Sequence, residues 1–295
     1  MSYLRPPGPR ARLRPEEFRL LRDLINEHAG LVFDDGAMYS FERRLSERLT
    51  ELDLSGFMEY YKYLRFAVRG AAELDEATDA LTTKETYFFR QDYQLRAFDN
   101  ELLPRFVREN QARRRMTIWS AGCSTGEEAY TLAMMTREHP KLVDWDVRVI
   151  GTDISKSCVA AARRGVYRET SFRTTPDDTR ERYFEKVSGG WRIHEDLRKS
   201  THFGQVNLLD AHKASIVGRV DVVFCRNVLI YFDVGSRRRV IDNLYQRLLP
   251  GGYLLLGHSE SLINVSTAFE LVHLKEDLVY RKPIASGGLD FGLLT

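Results

Sequence analysis

The chain has 295 residues, 43% of them hydrophobic, and 44 Lys and Arg against 42 Asp and Glu give a net charge of +2. That length suits two domains of ordinary size in an ordinary globular composition, and the near balance of charge argues against a protein devoted to nucleic acid. No apolar run approaches the roughly 20 residues of a membrane span, and three scattered cysteines with no Cys/His ligand spacing argue against a metal site and fit a reducing cytoplasm.

Residues 1–14 (MSYLRPPGPRARLR) read as a flexible arm, with no apolar stretch that would make a signal peptide. Helical periodicity starts at Pro15, followed by Glu16 and Glu17 in a first turn and by Phe18, Leu21, Leu24 and Ile25 on one face, up to Gly30. Further helices are expected over 37–52, 56–67 and 71–82. Residues 15–95 therefore read as a small all-α domain.

The alternation then changes. MTIWSAG (116–122), DVRVIGT (146–152), VDVVFC (220–225) and GYLLLG (252–257) read as buried strands, separated by helices over 127–139, 156–164 and 235–248. A hairpin over 271–274 and 278–281 closes the domain. Strand alternating with helix predicts an α/β fold with a mainly parallel sheet covered on both faces. Residues 167–203 interrupt that order, and Ser188-Gly189-Gly190 predicts a β-hairpin there, so 167–203 read as an inserted β-subdomain within a domain of 96–283. The tail over 284–295 reads as flexible.

Four stretches carry chemistry. In IWSAGCSTGEEAYTLAM (118–134) a strand runs through Gly122 and Gly126 into a helix, a turn in which small residues let a ligand approach the backbone. It lacks GxGxxG and GK[ST], and Glu127 and Glu128 would repel phosphate but suit an ammonium group. Asp153 ends the next strand, where a carboxylate accepts ribose hydroxyls in doubly wound sheets, or caps the following helix. CRNVLIYF (225–232) puts Arg226, Asn227 and Tyr231 on the same rim, and VNLLD (206–210) and LGHSES (256–261) add to it. TTKETYFFR (82–90) brings Thr86 and Arg90 beside that rim, while Phe88 and Phe89 staple the domains. Together these features point to a phosphate-free adenosyl ligand such as S-adenosylmethionine.

In this order and spacing the motifs resemble those of the CheR family of chemotaxis-receptor methyltransferases, over residues 15–282. The resemblance implies a Rossmann-like class I methyltransferase sheet with an inserted small β-subdomain, preceded by a small all-α domain. It implies S-adenosylmethionine contacts at Lys84, Thr86, Arg90, Gly122, Glu128, Asp153, Asn207, Leu208, Arg226 and Asn227, with Arg90 and Tyr231 nearest the methyl-transfer centre. Lys84 departs from the asparagine usual at that place in the family, exchanging an amide for a point charge. The implied reaction is methylation of glutamate side chains on the cytoplasmic helical domain of a chemoreceptor-like partner, by a cytoplasmic enzyme that is not membrane-embedded and does not act on nucleic acid. Arg44 and Arg48, one helical turn apart, offer a basic stripe for that partner; interleaved Glu42, Glu47 and Glu51 make a plain solvated face the alternative. The tight Ser188-Gly189-Gly190 turn leaves little loop for docking a receptor tail. Two other functions stay open at this point: a methyltransferase with a different substrate, and a non-catalytic cofactor-binding module, for which Lys84 speaks.

Overall fold

A computed structural model describes residues 11–284. The tail expected from 284 lies, but for Ile284, outside the described residues, as does most of the arm expected over 1–14. The arm's last residues are fastened: Leu13 is buried and its amide donates to Glu42 Oε2 at 2.8 Å.

Four helices open the fold: α1 (Pro15–Ala29), α2 (Met38–Glu51), α3 (Phe57–Phe66) and α4 (Gly70–Leu81). Proline at the first helical position and the Arg14 amide bonded to Glu17 Oε2 start α1. Gly30 stops it at φ 71°, and a Cβ there would stand 2.8 Å from Leu209 Cδ1 and Ser236 Oγ. Glycine is thus required twice over, for the left-handed cap and for close packing on the following domain. Phe18 and Phe41 meet edge to face at 5.0 Å within a core that includes Leu21, Ile25, Leu45 and Tyr60.

The basic stripe expected on α2 is not on offer to a partner. Arg44 Nη1 donates to the carbonyls of Ala80, Leu81 and Thr82, satisfying the end of α4. Arg48 clasps Glu73 through Nε at 2.8 Å and Nη2 at 2.6 Å, and Tyr60 donates to the same carboxylate. The i,i+4 face looks toward α4, so both cations hold helices together.

A bent helical segment follows: α5 (Asp92–Ala97), a π-helical turn (Phe98–Leu102) and α6 (Leu103–Glu109). Leu95, Phe98 and Phe106 pack with Met116 and Ile118 of the sheet, so the all-α domain ends near Leu81 rather than at 95. The rest is β1 (Arg115–Ala121), α7 (Glu127–Glu138), β2 (Asp146–Asp153), α8 (Lys156–Arg164), β3 (Val166–Tyr167), α9 (Asp177–Tyr183), β4 (Phe184–Val187), β5 (Gly190–Ile193), α10 (Glu195–Ser200), β6 (Thr201–Gln205), α11 (Ala211–Ser215), β7 (Val220–Cys225), α12 (Val234–Arg247), β8 (Leu248–Leu256), β9 (Glu270–His273) and β10 (Leu278–Arg281).

Seven strands form one sheet in the order β6-β2-β1-β7-β8-β10-β9, parallel except for β10 and β9. Alternate residues face opposite cores. Trp119, Val223 and Leu254 pack into the core shared with α1–α4, while Ile118, Phe224 and Leu255 face the other. The expected hairpin forms, with Val187 paired to Gly190 across the turn, in a separate antiparallel sheet β3-β5-β4. Residues 201–203 lie outside that insert, since β6 pairs with β2 in the main sheet.

Candidate active site

Strand order reverses at β1, which lies between β2 and β7. Ligands of open α/β sheets bind outside the carboxyl ends of the strands at such a switch point. A crevice with about 1180 Å3 of empty space, open to solvent, lies there, and the all-α domain closes its far wall through Leu31, Val32 and Phe33. An antiparallel bridge pairs Leu31 with Phe232, and the Val32 amide donates to the Tyr231 carbonyl at 2.8 Å.

Ten of the residues expected from the sequence to hold cofactor or substrate line this crevice: Thr86, Arg90, Gly122, Glu128, Asp153, Asn207, Leu208, Arg226, Asn227 and Tyr231. Lys84 does not. Its ammonium bonds Asp79 Oδ1 at 2.8 Å and Ser157 Oγ at 2.7 Å, outside the crevice, joining α4 to the start of α8. A longer, charged side chain here has a buried carboxylate within reach, and that pairing outcompetes a turn toward the crevice.

The glycine turn works differently from a phosphate loop. The amides of Gly122 and Cys123 donate to the Thr152 carbonyl at 2.7 and 2.9 Å, and that of Ser124 donates to Asp153 Oδ2 at 2.8 Å. These donors are therefore taken up by β2. Gly122 has φ 81°, and a Cβ on it would meet Val228 Cγ2 at 2.4 Å. The turn brings bare backbone to the crevice wall and fixes Asp153, whose Oδ1 also accepts from the Ser155 amide at 2.9 Å. Burial pushes the Asp153 carboxyl above its ordinary value, against the pull of those two amides.

The second carboxylate, Glu128, accepts from Ser120 Oγ at 2.7 Å and from Arg226 Nη1 at 3.2 Å. Burial raises it too, against Arg226. Arg226 is only 7% exposed, and its other donors go to Gln94 Oε1, Gln91 Oε1 and the Arg90 carbonyl. It ties α5 and the Arg90 segment to Glu128, which is an organising role. Asn207 is likewise engaged, donating to the His28 carbonyl and accepting from the Leu209 amide. Glu127 points away from the crevice, to Thr125 and to Ser171 of the insert.

Arg90 and Tyr231 are the freer groups. Half-buried Arg90 donates from Nη1 to the Glu85 carbonyl at 3.0 Å, and Tyr231's hydroxyl has no hydrogen-bond partner among the described residues. The lining fits a phosphate-free, cationic adenosyl ligand: two rim carboxylates that accept hydrogen bonds lie between apolar walls of Ile154, Val206, Leu208 and Val228, with the nearest amides already paired.

Two organising residues escaped the sequence reading. Glu260 accepts the amides of Asn227 (2.8 Å), Gly257 (2.6 Å), Val228 (2.8 Å) and Ile230 (3.2 Å), holding the CRNVLIY turn with Asn227 at φ 59°. Its place in GHSES, just after a strand, was the available signal. Gln94 orients Arg226 and donates to the Leu256 carbonyl and to Asp277; nothing in its sequence neighbourhood marks it.

Comparison with known proteins agrees with this geometry. The family model "CheR methyltransferase, SAM binding domain" matches residues 84–278, and "CheR methyltransferase, all-alpha domain" matches 16–82. The chain belongs to the CheR methyltransferase family. It is an S-adenosylmethionine-dependent methyltransferase with a Rossmann-like sheet behind a small all-α domain. It is 36% identical over 90% of its length, and 93% of the relative's, to chemotaxis protein methyltransferase 2 of Vibrio cholerae. It is 32% identical to chemotaxis protein methyltransferase 1 of Pseudomonas aeruginosa, over 90% of this chain and 97% of that one. A chemotaxis protein methyltransferase of Borreliella burgdorferi is 33% identical over 84% of this chain and 88% of its own. No helix among the described residues of this CheR-family enzyme is long and apolar enough to cross a membrane.

Proposed function

We propose that this enzyme methylates glutamate side chains on the cytoplasmic helical region of a chemoreceptor-type protein, working from the cytoplasm and giving glutamyl methyl esters. The observation that carries the reading is the pairing, in one crevice, of two cofactor-side carboxylates with a cation at the mouth. Glu128 and Asp153 lie on the rim, and Arg90 keeps donors unused by the protein. Bound there, S-adenosylmethionine supplies a methyl group carried on a sulfonium.

Asp153 has lone pairs left for ribose hydroxyls, and the apolar residues beside it suit a purine face. Glu128, steadied by Ser120 and Arg226, suits an ammonium. Arg90 orients the substrate carboxylate, and Tyr231 borders the reacting atoms. A glutamate has an ordinary pKa of about 4.3 and is an anion near neutral pH, so no general base is required. The enzyme's contribution is alignment, for which about 7–11 kcal/mol is available in favourable cases, together with exclusion of water.

The non-catalytic reading rested on Lys84 in the cofactor site, and that ammonium is engaged elsewhere. The test is Arg90→Ala. Methyl transfer to a receptor cytoplasmic fragment should be nearly abolished while the affinity for S-adenosylhomocysteine falls less. Turnover equal to wild type would reject the assignment of Arg90.

A further inference from the structure

The segment carrying Thr86 and Arg90 runs along the crevice mouth, and the insert between α8 and β6 holds it there. The Phe88 amide donates to the Ser171 carbonyl at 2.9 Å, and Thr174 Oγ1 donates to the Phe88 carbonyl at 2.9 Å. The Phe88 ring lies 4.8–5.1 Å from those of Tyr167, Phe172 and Phe184. Between these anchors comes Arg173. Its guanidinium carbon sits 3.9 Å from the Tyr87 ring centroid, and its Nη2 pairs with Glu85 Oε1 at 3.4 Å. The Arg90 guanidinium lies 5.7 Å from the same ring and donates to the backbone carbonyl of Glu85. Glu85, Tyr87 and Arg90 all line the crevice.

This arrangement puts a glutamate of the enzyme within reach of the cation assigned to the substrate's glutamate. The two carboxylates are chemically the same, and the enzyme's own is tethered, so its effective concentration at Arg90 is on the order of millimolar. Arg90 is already at Glu85's backbone; what differs is where the Glu85 side chain goes. Arg173 takes it, while cation–π contact with Tyr87 fixes Arg173 itself. We propose that Arg173 is a positioning residue that holds the Glu85 carboxylate off Arg90 and so keeps Arg90 open to the substrate. The insert thereby sets the charge state of the methyl-transfer mouth. The proposal rests on Arg90 receiving the substrate carboxylate.

The test is a set of variants of the full chain assayed with one receptor cytoplasmic fragment. Arg173→Ala should lower kcat/KM roughly three- to tenfold, mostly through KM, with the affinity for S-adenosylhomocysteine unchanged. Adding Glu85→Gln to Arg173→Ala should restore kcat/KM, because the competing charge is gone; a merely structural role for Arg173 would not be repaired this way. Arg173→Lys should keep most activity. Wild-type kinetics in Arg173→Ala, or a loss that Glu85→Gln does not repair, would overturn the proposal. If Arg173→Ala no longer binds S-adenosylhomocysteine, Arg173→Gln with and without Glu85→Gln makes the same comparison with more of the side chain kept. Arg90→Ala assayed alongside separates the two levels. Turnover retained there overturns the Arg90 assignment itself, whereas an inactive Arg90→Ala beside an unaffected Arg173→Ala overturns only the role of Arg173.

Discussion

Replacing Glu260 with glutamine changes almost no volume and should nonetheless damage the site. One carboxylate accepts four backbone amides, two on each oxygen: Asn227 and Gly257 on Oε2, Val228 and Ile230 on Oε1. In glutamine one oxygen becomes an NH2 group, which would face two N–H donors. Each stranded donor costs about 1–3 kcal/mol, and because Glu260 is half-buried the lower part of the range applies, giving about 2–3 kcal/mol in all. The turn it holds has Asn227 in the left-handed region, so the released segment should relax and carry Asn227 and Tyr231 with it. If all of that cost appears in binding, S-adenosylhomocysteine affinity drops roughly 30- to 150-fold. Isothermal calorimetry reads this directly, with a urea titration for stability. Glu260→Ala should be no worse than the glutamine variant, because it opens space for water at the four amides. A glutamine variant that binds like wild type and unfolds at the same urea concentration would refute the reasoning.

Four further outcomes follow from the same geometry. Lys84→Ala should change S-adenosylhomocysteine affinity less than about twofold and cost under ~1 kcal/mol of stability, since the ion pair with Asp79 is partly exposed; a tenfold loss of affinity by calorimetry would return Lys84 to the cofactor site. Burial pushes Asp79 up, but Lys84 and Ser155 hold it below its ordinary value, so its stabilisation is present above the usual aspartate range and lost as pH falls through the depressed folded-state pKa; Asp79→Asn should flatten that part of the acid unfolding curve. Glu128 and Asp153 are raised by burial, so cofactor affinity measured from pH 8 downward should begin to fall before the ordinary carboxylate range is reached, and a profile that stays flat on into that range would contradict their role as anions. The same raised values make the folded apoprotein the better proton binder, so its own stability should rise, not fall, over that interval. Arg48→Ala strands buried Glu73 and should cost about 3 kcal/mol in urea unfolding, with kcat/KM per folded molecule unchanged; a KM effect without a stability effect would restore Arg48 as a docking residue.

The elements that sequence reading placed well are those whose signal is local. The α8 helix begins and ends at the residues its pattern gives, because the Ser155 hydroxyl caps the Cys158 amide and Gly165 closes it in the left-handed region. The strands β1 and β7 are mostly buried, largely apolar runs, and β2 carries its apolar residues Val147, Val149 and Ile150 on either side of exposed Arg148. Asp92–Glu109 gives no steady helical period in the sequence because the π turn at Phe98–Leu102 shifts its register and breaks a 3.6-residue repeat. The edge strand β6 reads Thr-His-Phe-Gly-Gln, with no apolar run to announce it. At the site, the rim residues were legible because strand tips and a glycine turn locate a crevice from topology. Gln94, Arg173 and Glu260 act through contacts whose partners are mostly distant in sequence, and Arg44 and Arg48 share a face whether that face meets water or α4.

The most direct test uses S-adenosylmethionine labelled in its methyl group. The enzyme is incubated with receptor cytoplasmic fragments, and the labelled protein is then treated with mild base. The label should enter glutamate-bearing peptides of the fragment and be released as methanol, as a carboxyl methyl ester requires. Label that survives base, or none transferred to any receptor fragment while the cofactor binds, would contradict glutamate methylation at this crevice.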